Sequence, residues 1–158
     1  MSQQINRPTW YLNNYRKVDK LWLDKNENSD EILIKKISSF LKKIDSKNIY
    51  SYPNLGIVYS NLAKILKVEM KNLLLTAGSD AGIKMVFETF LKKNDLILRV
   101  NPTFAMYSIY SKFYKTKELL IDYKNINNKL VLDIDEILYL IENKSPKLIC
   151  IPNPNSPT

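Results

Sequence analysis

Hydrophobic residues recur at helical spacing early in the chain. Between residues 30 and 44, apolar side chains stand at positions 33, 37, 40, 41 and 44, which leaves the lysine pairs on the opposite face. This spacing predicts an amphipathic helix. A turn around Tyr52-Pro53-Asn54 and Gly56 follows, and apolar residues at 58, 62, 65 and 66 then predict a second helix.

Further along the chain, short apolar runs alternate with helical patterns. The run at 73–76 is typical of a buried parallel strand, the runs at 96–100 and 118–121 predict two further strands, and the run at 147–151 predicts a final buried strand. Helical patterns cover 79–93, with Ser79 or Asp80 as the N-cap, 104–114, and 133–141, a capped helix with Glu136 at its third position. This alternation predicts an α/β fold with a mainly parallel sheet and helical cover.

Residues that are absent exclude several kinds of chemistry. The chain has no histidine, a single cysteine and three glycines. Histidine-based catalysis, a zinc site and an intramolecular disulfide are therefore excluded within this chain. The glycines are too scattered for a GxGxxG or Walker A loop. Cys150 lies in an apolar strand, so we expect an inert buried thiol in a reducing compartment.

The net charge of +8 raises the question of a polyanionic partner. The lysines are spread as pairs along the chain, which favours solvated helix faces, and nucleic acid is not the expected partner. A small basic module that binds nucleic acid or another polyanion remains the alternative function. No apolar run is long enough for a membrane helix, and residues 1–10 lack a signal-peptide core, so we expect a cytoplasmic protein without membrane association.

Candidate chemistry lies where predicted strands end. Thr76-Ala77-Gly78-Ser79-Asp80 is either an anion site at a helix N-terminus or an ordinary helix cap. Phe104 either stacks on a planar ligand or packs in a core or subunit interface, and Tyr52 is either aimed at a ligand or part of a simple turn. The final segment, residues 152–158, follows a buried strand, where ligand crevices of open α/β sheets lie.

Taken in order, these segments resemble the N-terminal part of PLP-dependent aminotransferases of classes I and II, most closely the histidinol-phosphate aminotransferase group. The matching segments are Leu23-Asp24-Lys25-Asn26-Glu27-Asn28, Tyr52-Pro53-Asn54, Leu75-Thr76-Ala77-Gly78-Ser79-Asp80, Pro102-Thr103-Phe104-Ala105-Met106-Tyr107 and Pro152-Asn153-Pro154-Asn155-Ser156-Pro157-Thr158. They are similar to the family's LxxNEN segment, YPD or YPN turn, TxGSDE loop, PTYxMY segment and NPNNPTG signature. The resemblance implies the first part of a fold type I large domain, with helices on both faces of the sheet.

The resemblance also implies roles for individual residues. Ser79 and Asp80 would hold the phosphate of pyridoxal 5′-phosphate, mainly through backbone N–H groups, and Phe104 would stack on the pyridine ring. Tyr52 would reach the cofactor phosphate of the other subunit of a homodimer. Ser156 stands where the family has an asparagine that contacts the cofactor's 3′-oxygen. Ala81 replaces the family's first-turn glutamate.

The implied organisation is an N-terminal arm at 1–29 and a truncated aminotransferase domain at 30–158, with a helix pair at 30–67 leading into the α/β part. The parent enzyme would pass an amino group between an amino acid or phosphorylated amino compound and a keto acid. Family members carry the Schiff-base lysine and its partner residues further along, so we expect this chain to hold no catalytic residue and to be inactive by itself. A non-catalytic remnant is the third possibility.

Overall fold

The computed structural model describes residue 28 and residues 30–158, and the chain divides into two compact units between Leu74 and Leu75. The predicted arm at 1–29 and the LxxNEN-like segment lie outside the described residues, apart from Asn28. The domain boundary at residue 30 therefore stays a prediction.

The unit before residue 75 is helical. Its elements are α1 (Glu31–Leu41), α2 (Lys47–Tyr50), α3 (Leu55–Leu66) and a single 3₁₀ turn (Met70–Asn72). Side chains cap the two longer helices: Asp30 accepts hydrogen bonds from the first turn of α1, and Asn54 accepts one from Gly56 N at 3.1 Å. Both predicted helices are confirmed, although α1 ends at Leu41, before Ile44.

The unit from residue 75 onward is an α/β layer structure. Its elements are α4 (Gly78–Phe90), β1 (Leu96–Asn101), α5 (Met106–Tyr114), β2 (Lys117–Asp122), β3 (Lys124–Ile126), β4 (Lys129–Val131), α6 (Ile134–Lys144) and β5 (Leu148–Cys150). The main sheet has the order β2-β1-β5, and both pairings are parallel. The predicted α/β class with a parallel sheet is confirmed.

The central strand β1 buries side chains on both faces of the sheet. Ile97 packs with Phe87, Leu91 and Cys150 on the face covered by α4 and α5. The next residue, Leu98, packs with Ile121 and Ile137 on the face covered by α6. Because successive strand residues point to opposite faces, this pattern requires helices on both sides of the sheet, as expected.

Three local predictions around α4 are wrong. Residues 73–76 form no strand, because no described strand pairs with them, and Leu74 remains 63% exposed. Neither Ser79 nor Asp80 caps α4: the N-cap is Ala77, and both residues lie in the first helical turn. The helix ends at Phe90, since Leu91 adopts an extended backbone to enter the core, and Lys92 and Lys93 therefore follow the helix.

The β3–β4 hairpin was not predicted from the sequence. Asn127 and Asn128 join its strands with φ angles of 52° and 60°, the left-handed conformation that a tight type I′ turn requires and that asparagine tolerates. Lys124 of the hairpin donates to the Asp133 carboxylate at 2.7 Å. Asp133 also caps α6, as predicted.

Asp95 lies just before β1, and its carboxylate contacts a residue that follows α4 and a residue that precedes β5. Its Oδ2 accepts hydrogen bonds from Lys92 N and Lys147 Nζ, both at 2.7 Å, and these contacts, led by that from Lys147, hold the pKa of Asp95 below its usual 3.8. A folded-state pKa below the unfolded value contributes stability above pH ~3.8, and that contribution is lost as the pH falls through the folded-state pKa. We therefore expect Asp95→Ala to lower the melting temperature at about pH 7.

Melting temperatures at acid pH distinguish the contribution of the Asp95 charge from that of its packing. As the pH falls from about 7 into the acid range, the difference in melting temperature between Asp95→Ala and wild type should shrink, because protonation of the carboxyl group removes the negative charge that Lys147 stabilises. Glu142→Ala, at an exposed position on α6, serves as the control and should leave the melting temperature at about pH 7 nearly unchanged. A melting difference that persists unchanged at acid pH would contradict the prediction.

Candidate functional site

The turn into α4 leaves the N–H groups that follow Gly78 without a side-chain cap. Gly78 begins the helix with φ +78°, and a side chain at this position would meet no heavy atom within 4 Å apart from its chain neighbours and the backbone of its own helix. Thr76 shapes the turn: its Oγ1 donates to Gly78 O, and its carbonyl oxygen accepts from Gly78 N, both at 2.8 Å. No side chain caps this end of the helix. The turn therefore offers backbone donors, the Ser79 hydroxyl and the positive end of a helix dipole to an anion.

A tyrosine on the neighbouring helix holds the acidic residue of this turn. Tyr110 of α5 donates its phenolic hydrogen to Asp80 Oδ1 at 2.6 Å, and its ring packs on Phe87 of α4 with centroids 6.0 Å apart. The sequence alone predicts no role for Tyr110. Tyr110 lies three residues after Tyr107, so the two share one face of α5, and this spacing is the sequence signal that could have drawn attention to it.

An asparagine joins the two loops that follow β1 and β5. Asn155 Nδ2 donates to Pro102 O at 3.0 Å and to Thr158 Oγ1 at 2.6 Å, while Asn155 Oδ1 accepts from Thr103 Oγ1 at 2.6 Å. These contacts place the loop that carries Phe104 beside the segment that carries Ser156. In the sequence, Asn155 is part of the segment that resembles the NPNNPTG signature, and no separate role is predicted for it.

The predicted site residues thus fall into separate groups. Ser79 and Asp80 lie in the first turn of α4, and Phe104 lies in the loop before α5, 39% exposed. Ser156 is exposed in the C-terminal segment. These residues share one unit, whose helices and loops are joined through Tyr110 and Asn155. Tyr52 belongs to the other unit, where its side chain is fully exposed.

An open cleft of about 370 Å³ runs between α4 and β5. Apolar residues of both elements line most of it, with Ser79 and Tyr107 as polar groups at its wall. Cys150 lies there as well, and burial raises the pKa of its thiol to about 11, although the Arg99 guanidinium opposes the shift. The thiol is therefore protonated at neutral pH, which fits the expected inert, buried cysteine.

The described residues give no support for two other kinds of site. Among residues 28 and 30–158, no group of histidine, cysteine or acidic side chains is arranged to hold a metal ion. No helix in that same part of the chain is long and apolar enough to cross a membrane.

Comparison with known proteins identifies the family. The model of the aminotransferase class I and II family matches residues 18–158. The histidinol-phosphate aminotransferase of Caldanaerobacter subterraneus subsp. tengcongensis is 34% identical over 142 residues, which cover 88% of this chain and 39% of that enzyme. The enzyme of the same name from Francisella philomiragia is 33% identical over 150 residues, which cover 90% of this chain and 36% of the relative. The chain thus spans about two fifths of the length of these relatives.

Solved structures share the fold. The PLP-bound C-S lyase of Staphylococcus hominis superposes on all of this chain with a TM-score of 0.69 at 20% identity, covering 43% of the lyase chain. Histidinol-phosphate aminotransferase from Sinorhizobium meliloti, in complex with pyridoxal-5′-phosphate, gives a TM-score of 0.63 at 12% identity, covering 72% of this chain and 30% of that one. The α/β unit therefore has the fold of part of the large domain of fold type I PLP-dependent enzymes. With the family match over most of its length, this chain belongs to the aminotransferase class I and II family.

Proposed function

We propose that this chain forms the phosphate-binding and ring-stacking part of a PLP-dependent transaminase site of the histidinol-phosphate type. The open, uncapped first turn of α4 is the observation that carries the proposal. Its donors are backbone N–H groups and a serine hydroxyl, a set that fits a phosphate. The family match and the PLP-bound structural relatives support the choice of this cofactor over a free anion.

Each candidate residue has a physical role in this proposal. Ser79 and Asp80 donate backbone N–H groups to the phosphate, and Ser79 adds its hydroxyl. The exposed ring of Phe104 stacks on the pyridine plane, and the hydroxyl of Ser156 donates to the 3′-oxygen. Tyr52, with its fully exposed phenol, donates to the phosphate in the second subunit of a homodimer. The cofactor, when bound, supplies an aldehyde that takes up the amino group and a ring that accepts electrons.

We further propose the reaction of the parent enzyme: transfer of an amino group between an amino acid or a phosphorylated amino compound and a keto acid, in the cytoplasm. The names of the sequence relatives support this substrate class. No lysine in the chain lies in a motif of the kind that binds the cofactor covalently. We infer that the 158-residue polypeptide alone binds the cofactor weakly, without a covalent bond, and does not turn over substrate.

The test uses pyridoxamine 5′-phosphate, because its amine cannot react with the many surface lysines as an aldehyde would. Calorimetric titration of the 158-residue chain should show weak binding, with a Kd above about 10 µM, and still weaker binding of pyridoxamine, which lacks the phosphate. Ser79→Ala removes one donor to the phosphate and should weaken binding of the phosphorylated probe by about tenfold.

The matched control is Ser39→Ala, at an exposed position of α1 in the other unit, which should leave the affinity unchanged. Equal affinity for pyridoxamine with and without phosphate would refute the phosphate site. With pyridoxal phosphate, an absorbance band of a lysine-bound cofactor that survives dialysis would refute the inferred absence of a covalent bond.

A further inference from the structure

We propose that Tyr110 is a positioning residue for the phosphate site: it holds the Asp80 carboxylate away from the first turn of α4, so that the N–H groups there stay open to the cofactor's phosphate. This inference rests on the proposed function, and it deepens it by adding a residue that does not itself touch the cofactor. Its basis is the 2.6 Å hydrogen bond from the Tyr110 hydroxyl to Asp80 Oδ1.

The position of Asp80 makes such a residue necessary. Asp80 is the third residue of α4, and an acidic side chain there commonly reaches back to the uncovered N–H groups of its own helix. The helix dipole favours that conformation, since the carboxylate then lies at the positive end. Yet α4 has no side-chain cap, whereas Asp30, Asn54 and Asp133 accept first-turn N–H groups of α1, α3 and α6. The carboxylate of Asp80 is turned toward α5 instead.

Packing fixes the tyrosine more firmly than the aspartate. The Tyr110 ring is part of the cluster around the fully buried Phe87, at a centroid distance of 6.0 Å and an interplanar angle of 49°. Asp80 is only half-buried in the first turn. Because the ring is held by the core, its hydroxyl sets the position of the carboxylate, and the charge-assisted hydrogen bond is strong enough to compete with the helix N-terminus.

Loss of the tyrosine hydroxyl should harm phosphate binding through the freed carboxylate. A carboxylate that folds back onto α4 occupies the N–H groups and repels a phosphate, because both groups are negatively charged. We therefore expect Tyr110→Phe to weaken binding of pyridoxamine 5′-phosphate to the 158-residue chain by about fivefold. Tyr114→Phe is the matched control: its ring also packs on Phe87, at 6.3 Å, and the substitution should leave the affinity unchanged.

Rescue by a second substitution distinguishes positioning from a merely structural role. Asp80→Ala keeps the backbone N–H and removes the carboxylate, so the variant Tyr110→Phe with Asp80→Ala should bind the probe within about twofold of Asp80→Ala alone. If the double variant stays as weak as Tyr110→Phe, the carboxylate is not the cause and the proposal is wrong. An unchanged affinity in Tyr110→Phe would overturn it as well.

A ligand-free measurement keeps this inference separate from the proposed function. A carboxylate bonded to an N–H group shifts the amide proton resonance of that group as it titrates. In Tyr110→Phe, the amide proton resonances of Ala77 and Ser79 should therefore move further during an acid titration than they do in wild type. If wild type binds no probe, the proposed function fails while this titration still decides the position of Asp80. Identical titrations in both proteins would refute the positioning role.

Discussion

Phe87→Ala is expected to destabilise the α/β unit by about 3–5 kcal/mol, a large part of the total stability of an ordinary domain. Phe87 is fully buried between α4, α5 and the sheet, where it packs with Ile97, Leu91 and Cys150. Truncation removes the transfer free energy of the ring and leaves a cavity that the surrounding side chains fill only in part. Urea denaturation followed by circular dichroism should show a midpoint far below that of wild type.

The same substitution one turn further along α4 provides the control. Phe90 carries the same side chain on the same helix, but it is 60% exposed, so Phe90→Ala should cost less than about 1 kcal/mol. Equal destabilisation by the two variants would show that burial does not determine the loss, because both truncations favour the helix to a similar degree, and it would contradict the core described above. Phe87 also supports the Tyr110 ring, so its loss should loosen the contact with Asp80.

The order of helices and strands could be predicted because it depends on local patterns. The run at 96–100 already predicts the strand that became β1, and Asp133 indicates the start of α6. Residues 73–76 show the limit of such patterns. An apolar run predicts a strand only if another strand pairs with it, and pairing depends on residues far away in the sequence.

The residues of the candidate site likewise fall into two groups: those that the sequence indicates and those that only the structure reveals. Ser79, Phe104 and Ser156 follow from motifs that are continuous in sequence. Tyr110 and Asn155 could not be assigned roles, because their partners are Asp80, 30 residues away, and Pro102, 53 residues away. A motif indicates which residues a site uses, but contacts between distant residues determine how the turns that carry them are held.

Arg99 is the residue that the hydrophobic pattern explains least. It is a charged side chain within the buried strand β1, only 8% exposed. Its Nε donates to Glu118 Oε1 at 3.1 Å and its Nη2 to Glu118 Oε2 at 3.0 Å. Glu118 lies on the adjacent strand β2, so the pair joins two neighbouring strands on the face covered by α4 and α5.

Arg99→Ala is therefore expected to destabilise the protein by about 3–5 kcal/mol, because it leaves the Glu118 carboxylate largely buried without its cation. Removing both charges should lower the unfolding free energy far less. Arg99→Leu with Glu118→Leu replaces a desolvated ion pair with apolar contacts, so we expect the double variant to recover most of the lost stability. Lys35→Ala, which breaks an exposed pair with Glu31, should change the unfolding free energy by less than about 0.5 kcal/mol. If the double variant were as unstable as Arg99→Ala, the packing of the arginine stem, and not the orphaned charge, would be the main contribution of Arg99.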